Sequence, residues 1–501
     1  MNLVLPRKGD ILVVCPTELD DDGLALARVD IGEGPTHRRL RVKVRGALPG
    51  DRVEARVESR VRLDVHTRMV SILEPDAHRI TPRCRHARYE VDAILCGGCT
   101  LQALGYERQL ALKRQRIVHA MAVENVALEV LPTRPAPKIF GHRHKMELSF
   151  TARFAPTEKG GIARGVALGL HPPGYRWEVV ELAECHLLSP AMSAFLPALG
   201  QIFSDEALGL LAWDPRHEAG FLRNLIVREA QRTGDRMLEI VTTALDPVTV
   251  GGEPVAAADL MARLGARVLE EARAHDVAAS SLLWTVQISE RGKPTVMRTT
   301  VLAGAPTLTE HLRVGGRDLV LEVDPRAFFQ PHPLAAEGLI EEVVQRLGSA
   351  RTVLDLYCGT GTLGLAVSPS CERVVGVELV PEAVESARKN AARNELAATF
   401  HAGDVGAVVA DPAFRAALGP VDVVLLDPPR TGLLPGALAA LGALEPPRLI
   451  YVSCKPESLA RDLRALEAIG YRPEGPAQPV DLFPQSHHVE TVVSLTRVGS
   501  A

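Results

Sequence analysis

The last third of the chain limits the fold most. There the apolar runs "TVLDLYC", "RVVGVEL", "VDVVLLDPP" and "RLIYVSC" alternate with the helical stretches "EAVESARKNAARN", "PGALAALGAL" and "ESLARDLRALEAIG". Short apolar strands separated by helix-length segments predict parallel βαβ units, hence a doubly wound α/β domain over residues 321–501. In such sheets ligands bind at the carboxyl ends of the strands. Each run here ends in a group with chemistry to offer: Asp355, Glu378, Asp427 and Cys454.

"VLDLYCGTGTLGL" leaves its strand at Asp355 and turns through Gly359 and Gly361 into a helix. Glycines let backbone approach a ligand closely, and the turn's N–H groups face outward as donors. Glu378, at the next strand end, suits a ribose diol, and Asp404 in "FHAGDV" suits an adenine amino group. A short glycine pattern alone is also an ordinary strand-to-helix turn, and NAD and S-adenosylmethionine both use this arrangement. A carboxylate at Asp355 repels a pyrophosphate and attracts the cationic end of S-adenosylmethionine, so electrostatics favours the methyl donor.

Upstream the periodicity changes. Residues 1–75 alternate short β-type runs with Gly, Pro and Asp turns, which predicts a small five-stranded, OB-like barrel. Between Arg38 and Arg68 stand ten Lys and Arg against four acids. That excess suits either an oligonucleotide platform or a solvated outer barrel face. Residues 76–320 read as a mixed α+β central domain with a long charged helix, "LQALGYERQLALKRQRIVHAM", and an exposed proline-rich linker, "PTRPAPK". Three domains agree with 501 residues. A net charge of -4 leaves any nucleic-acid surface to be local. The chain offers no signal-like amino terminus and no run of about 18 apolar residues, so a cytoplasmic protein is expected.

Eight cysteines in a reducing compartment argue against disulfides. Cys15, Cys358 and Cys371 suit small buried hydrophobes. Cys84, Cys96, Cys99 and Cys185 form a C-x-x-C pair with two outliers, a set that by spacing suits zinc or an iron-sulfur cluster equally.

"DLYCGTG", "LLDPPRTG", "YVSCKPESLARDL" and "FPQSHHVETVVSL", with "FFQPHP" upstream, resemble in fixed order the S-adenosylmethionine-dependent RNA uracil-5-methyltransferases. The amino-terminal strands and the segments "CGGCTLQ" and "ECHLLSP" resemble the subgroup with a TRAM domain and a 4Fe-4S cluster that acts on 23S ribosomal RNA. The resemblance implies Cys454 as the nucleophile and Glu490 as the general base. Gln330, Tyr357, Thr362, Glu378, Asp404 and Asp427 then bind the donor, and Cys84, Cys96, Cys99 and Cys185 hold the cluster. It further implies an RNA partner, ribosomal before transfer RNA, with Arg143, Lys145 and Arg430 as contacts, and a monomer. The sequence departs from the family in the eleven residues between Cys84 and Cys96, where His86 is an alternative ligand, and at Lys455 and His332, where asparagines are common. Adjacent His487 and His488, read as strand residues, would point to opposite sides.

Overall fold

The apolar runs of the last third pair into one eight-stranded sheet in a computed structural model that describes residues 5–32, 37–89, 95–156, 162–174 and 178–498. Its order is Ala398–Ala402, Cys371–Glu378, Ala350–Leu356, Val423–Leu426, Arg448–Ser453, Glu490–Arg497 and Tyr471–Pro473, with Gln478–Val480 also on Glu490–Arg497. The first five strands are parallel, and Glu490–Arg497 runs antiparallel between its neighbours. All four residues of Val423–Leu426 are buried, because helices cover both faces of a parallel sheet. Two apolar clusters flank it, one built on helix Pro333–Leu347 and the other on helix Pro456–Ala468.

Two segments from outside the last third complete these clusters. The hairpin Leu308–Val314/Arg317–Val323 buries Leu312, Leu319 and Leu321 with the first. Helix Tyr106–Val123 buries Ile117, Ala120 and Met121 with the second. The proline-rich stretch is the largely exposed loop expected, tied down at buried Thr133 and Ala136. Arg134 N–H donates to the Pro479 carbonyl, and Ala136 N–H donates to Tyr106 Oη at 2.8 Å, so the segment lies along the sheet's edge.

A seven-stranded sheet fills the middle of the chain, in the order Val296–Gly304, Ser281–Ile288, Arg236–Thr243, Leu222–Glu229, Lys145–Pro156, Ile162–Leu170, Val180–Glu181. Period-2 alternation sends Leu148, Leu225, Val227, Leu238 and Ile240 into a core shared with helices Pro190–Phe203 and Ala257–Ala274. Glu147, Ser149 and Asn224 stand on the opposite face.

The amino-terminal strands make a six-stranded sheet rather than the five-stranded closed barrel expected: Ile11–Val14, Arg52–Val61, Asp64–Glu74, Arg38–Arg45, Ala25–Ile31, Glu18–Leu19. The sixth strand is the two-residue Glu18–Leu19, held against Ala25 and Leu26 by a tight turn at Asp20–Gly23. Its end strands do not pair with each other among the described residues. Six of the ten basic residues (Arg39, Arg41, Lys43, Arg45, Arg52, Arg68) have a carboxylate partner within 3.5 Å. Three of those partners, Asp20, Asp30 and Glu74, lie outside residues 38–68, so half of the excess of six is offset by neighbouring acids.

Candidate active site

The strand Arg448–Ser453 ends against Glu490–Arg497 with Ser453 opposite Thr491, so Cys454 and Glu490 follow as neighbours at the carboxyl end of the sheet. Asp427 and Arg430 close the group from the turn after Val423–Leu426. Burial pushes the Cys454 thiol up to about 12, with Glu490 and Asp427 adding to the rise. Arg430 opposes it through charge and a hydrogen bond. Burial and the Asp427 charge raise Glu490 to about 8, again against Arg430. Burial alone lifts Asp427 to about 7. Two carboxyls and a thiol crowd one guanidinium, and such perturbed groups at a strand end mark a working site.

One segment both delivers the thiol and fixes its neighbour. Pro456 starts the helix Pro456–Ala468, whose Ser458 Oγ donates to the Arg430 carbonyl at 2.7 Å. Asp462 accepts Leu433 N–H at 2.8 Å and the Tyr451 hydroxyl at 2.6 Å. Gly432 sits at φ +85° with room for no Cβ, which would lie 2.4 Å from Asp462.

Lys455, beside the thiol in sequence, does not act on it. Its Nζ pairs with Asp21 of the amino-terminal sheet at 3.2 Å. His487 and His488 precede the strand instead of lying in it, so both rings turn the same way, 3.9 Å apart. His488 accepts from Arg430 Nη2 at 2.7 Å, and His487 packs on Gly23, where a Cβ would come within 2.2 Å of its Nδ1.

At the glycine turn, Asp355 Oδ2 accepts Gly364 N–H at 2.9 Å while its Oδ1 is buried without a partner. Burial holds this carboxyl near 8 in spite of that bond. Gly359 faces open space at φ +53°, whereas Gly361 packs against Phe400 and has no such freedom. Tyr357 adopts φ +64°, costly for a bulky residue and typical of a functional turn. Gln330 Oε1 is a second buried orphan. Thr362 opens the helix Thr362–Val367. Glu378 and Asp404 also have protein partners: Glu378 accepts Gly359 and Val380 N–H at 3.0 Å, and Asp404 caps helix Val405–Ala410 through Ala407 N–H. Open glycine backbone, an unpartnered carboxyl oxygen and an unpartnered amide oxygen, both buried, fit a hydrogen-bonding nucleoside.

A cleft of ≈ 790 Å³ opens between this strand end and the central sheet, lined by Arg143, Lys145, Phe328, Arg430, Phe483 and His488 among others. Phe328 is 70% exposed there, unusual for so large a ring. Helix Tyr106–Val123 clamps the far wall. Its Gln109 bonds Gln485, its buried Lys113 pairs with Asp481 at 2.5 Å, and Arg116 donates to the His487 carbonyl. The sequence reading missed these residues, although polar side chains at 109, 113 and 116 have the spacing of one helix face. It also missed Arg228, which is buried and donates Nη2 to the Pro325 and Ala327 carbonyls at 2.8 and 3.0 Å, anchoring the loop that carries Phe328 and Gln330.

The family model tRNA (Uracil-5-)-methyltransferase matches residues 270–401 and 418–498. An uncharacterized RNA methyltransferase of Clostridium tetani is 32% identical over 92% of this chain and 94% of its own. Another, of Caldanaerobacter subterraneus subsp. tengcongensis, is 34% identical over 97% and 98%. The chain belongs to the RNA uracil-5-methyltransferase family. It is an S-adenosylmethionine-dependent enzyme of that family. The crystal structure of Pyrococcus abyssi tRNA (uracil-54, C5)-methyltransferase in complex with S-adenosyl-L-homocysteine is similar over 97% of this chain and 100% of its own, at 25% identity and TM-score 0.67.

In this methyltransferase the four remaining cysteines converge. Burial pushes Cys99 well above the usual thiol range, and the charges of Cys185, Cys96 and Cys84 add to it. Cys96 stands at about 12 and Cys185 at about 11 for the same reasons. Backbone N–H groups nevertheless point at the sulfurs: His86 and Ala87 at Cys84, Gly98 at Cys96, Leu187 and Leu188 at Cys185. His86 Nε2 accepts Ala183 N–H at 3.1 Å and is engaged away from the set. Among the described residues, no three His, Cys, Asp or Glu side chains form a group that could hold a metal ion. The four thiols influence one another, but the expected 4Fe-4S site is not formed among the described residues. No described helix is long and apolar enough to cross a membrane.

Proposed function

We propose that this enzyme methylates C5 of a uridine in ribosomal RNA, with Cys454 as nucleophile and Glu490 as general base. The observation carrying this reading is the convergence of Cys454, Glu490, Asp427 and Arg430 at one strand end. Uracil C5 is a weak nucleophile until a thiolate adds to C6 and pushes electron density onto it. S-adenosylmethionine, when bound, supplies an electrophilic methyl group for that carbon. Cys454 Sγ forms the bond to C6, with Arg430 steadying the thiolate. Glu490 then removes the C5 proton, and the electron pair left behind expels Cys454 and restores the ring. Gln330, Tyr357, Thr362, Glu378, Asp404 and Asp427 hold the donor, the buried orphan oxygens of Gln330 and Asp355 supporting this assignment.

Cys84, Cys96, Cys99 and Cys185 fit a 4Fe-4S cluster by donor chemistry, since N–H groups aimed at sulfur stabilise bound thiolates. The same four sulfur donors also suit a structural zinc, which is the second reading of this set. The role is structural, because methyl transfer involves no net electron loss. The amino-terminal sheet, as a TRAM-like module, and the cluster together favour ribosomal RNA. Transfer RNA is the second reading, favoured by the full-length likeness to the Pyrococcus abyssi enzyme.

Release of tritium from 5-tritiated uridine tests the reaction directly. Unmodified 23S ribosomal RNA transcript is expected to release tritium in the presence of S-adenosylmethionine; release from a transfer RNA transcript alone would overturn the ribosomal assignment, and release from neither would overturn the activity. The same assay reads Glu490. Because its carboxyl holds a proton up to about pH 8, kcat, which includes the elimination that releases tritium, should climb from pH 6 through 8, and any further rise above about pH 9 belongs to the Cys454 thiol. A flat profile over that range would remove Glu490 as the base.

A further inference from the structure

On the outer face of the central sheet, beyond the cleft, a second pocket of ≈ 210 Å³ lies between strands Lys145–Pro156 and Leu222–Glu229 and the turn at Trp213. Arg223, Trp213, Asn224, Ser149 and His171 line it. The Arg223 guanidinium lies 5.2 Å from the Trp213 ring centroid, and its Nε is buried without a hydrogen-bond partner. No carboxylate pairs with Arg223 among the described residues, and burial is the one influence acting on its charge. Half-burying a guanidinium costs free energy that the Trp213 ring returns only in part, and its Nε still lacks an acceptor. An anion at that spot would return the rest.

The remaining groups say what else the ligand carries. Trp213 offers a wide apolar ring, the surface on which any nucleobase stacks. Asn224 Nδ2 reaches Ser149 Oγ at 3.3 Å, and Ser149 Oγ in turn meets His171 Nε2 at 3.1 Å, so the floor is a row of adaptable donors and acceptors. His171 belongs to the walls of both this pocket and the large cleft. A strand leaving the cleft therefore reaches Trp213 across a single side chain.

We propose that the Trp213–Arg223 pocket is a second RNA subsite, which takes one unpaired nucleotide flanking the target, its base against Trp213 and its phosphate on Arg223. This inference rests on the reading of the substrate as RNA. It goes beyond that reading in giving the enzyme a grip on single-stranded sequence away from the reacting base.

Binding of the full-length protein to the 23S transcript, titrated against salt, tests it. Arg223→Gln should raise Kd roughly tenfold and lower the slope of log K against log salt by about one ion. Trp213→Ala should raise Kd by about tenfold or more through lost stacking, while Trp213→Phe keeps most of the affinity. Binding of S-adenosyl-L-homocysteine should be unchanged in all three, which separates a lost subsite from misfolding. Wild-type affinity and salt slope in Arg223→Gln would overturn the subsite even if tritium release proceeds normally. A wild-type protein that binds and methylates no RNA would overturn the substrate reading, and the subsite with it.

Discussion

Replacing Cys454 by alanine should abolish methyl transfer, a loss of at least about 10⁴-fold, while leaving S-adenosyl-L-homocysteine bound as tightly as before. The asymmetry follows from where the residue stands. Cys454 borders Glu490, Asp427 and Arg430, whereas the orphan oxygens assigned to the donor belong to Gln330 and Asp355 on other segments. Alanine removes one half-buried sulfur, a change of about 1 kcal/mol in stability. The thiol's height, about 12, makes the variant informative. The thiol has to lose its proton before or as Sγ attacks C6, and Arg430, which lowers it, favours that loss. Equilibrium titration with S-adenosyl-L-homocysteine and tritium release measure the two halves. Turnover by Cys454→Ala within tenfold of the parent would sink covalent catalysis.

Glu490→Gln should do something different: stop the reaction after methylation, with the protein still joined to RNA. An amide of the same shape keeps the packing but cannot accept the C5 proton, so elimination of Cys454 stalls. A band of protein-plus-RNA mass that survives denaturing electrophoresis is the expected result, and its absence under conditions where the parent turns over would count against Glu490 as base. Stability gives a second readout. Glu490 has a folded pKa of about 8 against roughly 4.3 when exposed, so the folded protein holds its proton more tightly. The stability this lends is complete below the unfolded value and is lost as pH rises toward 8. Glu490→Gln removes that loss. Its Tm should therefore fall less than the parent's between pH 6 and pH 8.5 in scanning calorimetry.

Strand ends were the part of this site most legible in the sequence. Asp355, Asp427 and Cys454 announced themselves because a buried parallel strand is an unmistakable apolar run, and whatever follows it lies on the ligand face. Glu490 carried no such mark: its strand is antiparallel and last, and only the family resemblance pointed to it. The role of Lys455 could not be read, because proximity in sequence does not give direction, and Asp21, its partner, lies 434 residues away. His487 and His488 were assigned to a strand that begins at Glu490, since strand boundaries depend on partners the sequence does not name. Arg228 and Lys113 look like ordinary surface cations in a string of letters. What makes them structural is a carbonyl pair 97 and 99 residues off and a carboxylate 368 residues off.

The clamp of helix Tyr106–Val123 on residues 481–488 also bears on how the protein is made. Synthesis runs from the amino terminus, so that helix leaves the ribosome long before the segment it grips. Until then its buried face, Lys113 included, must wait in water or against temporary neighbours. The strand Glu490–Arg497, which fills the gap between Arg448–Ser453 and Tyr471–Pro473, emerges after both of them. Assembly of this reaction centre thus waits on chain order: a nascent chain can hold Cys454 in a half-built sheet, but Glu490 joins it only after the strand that carries it has emerged.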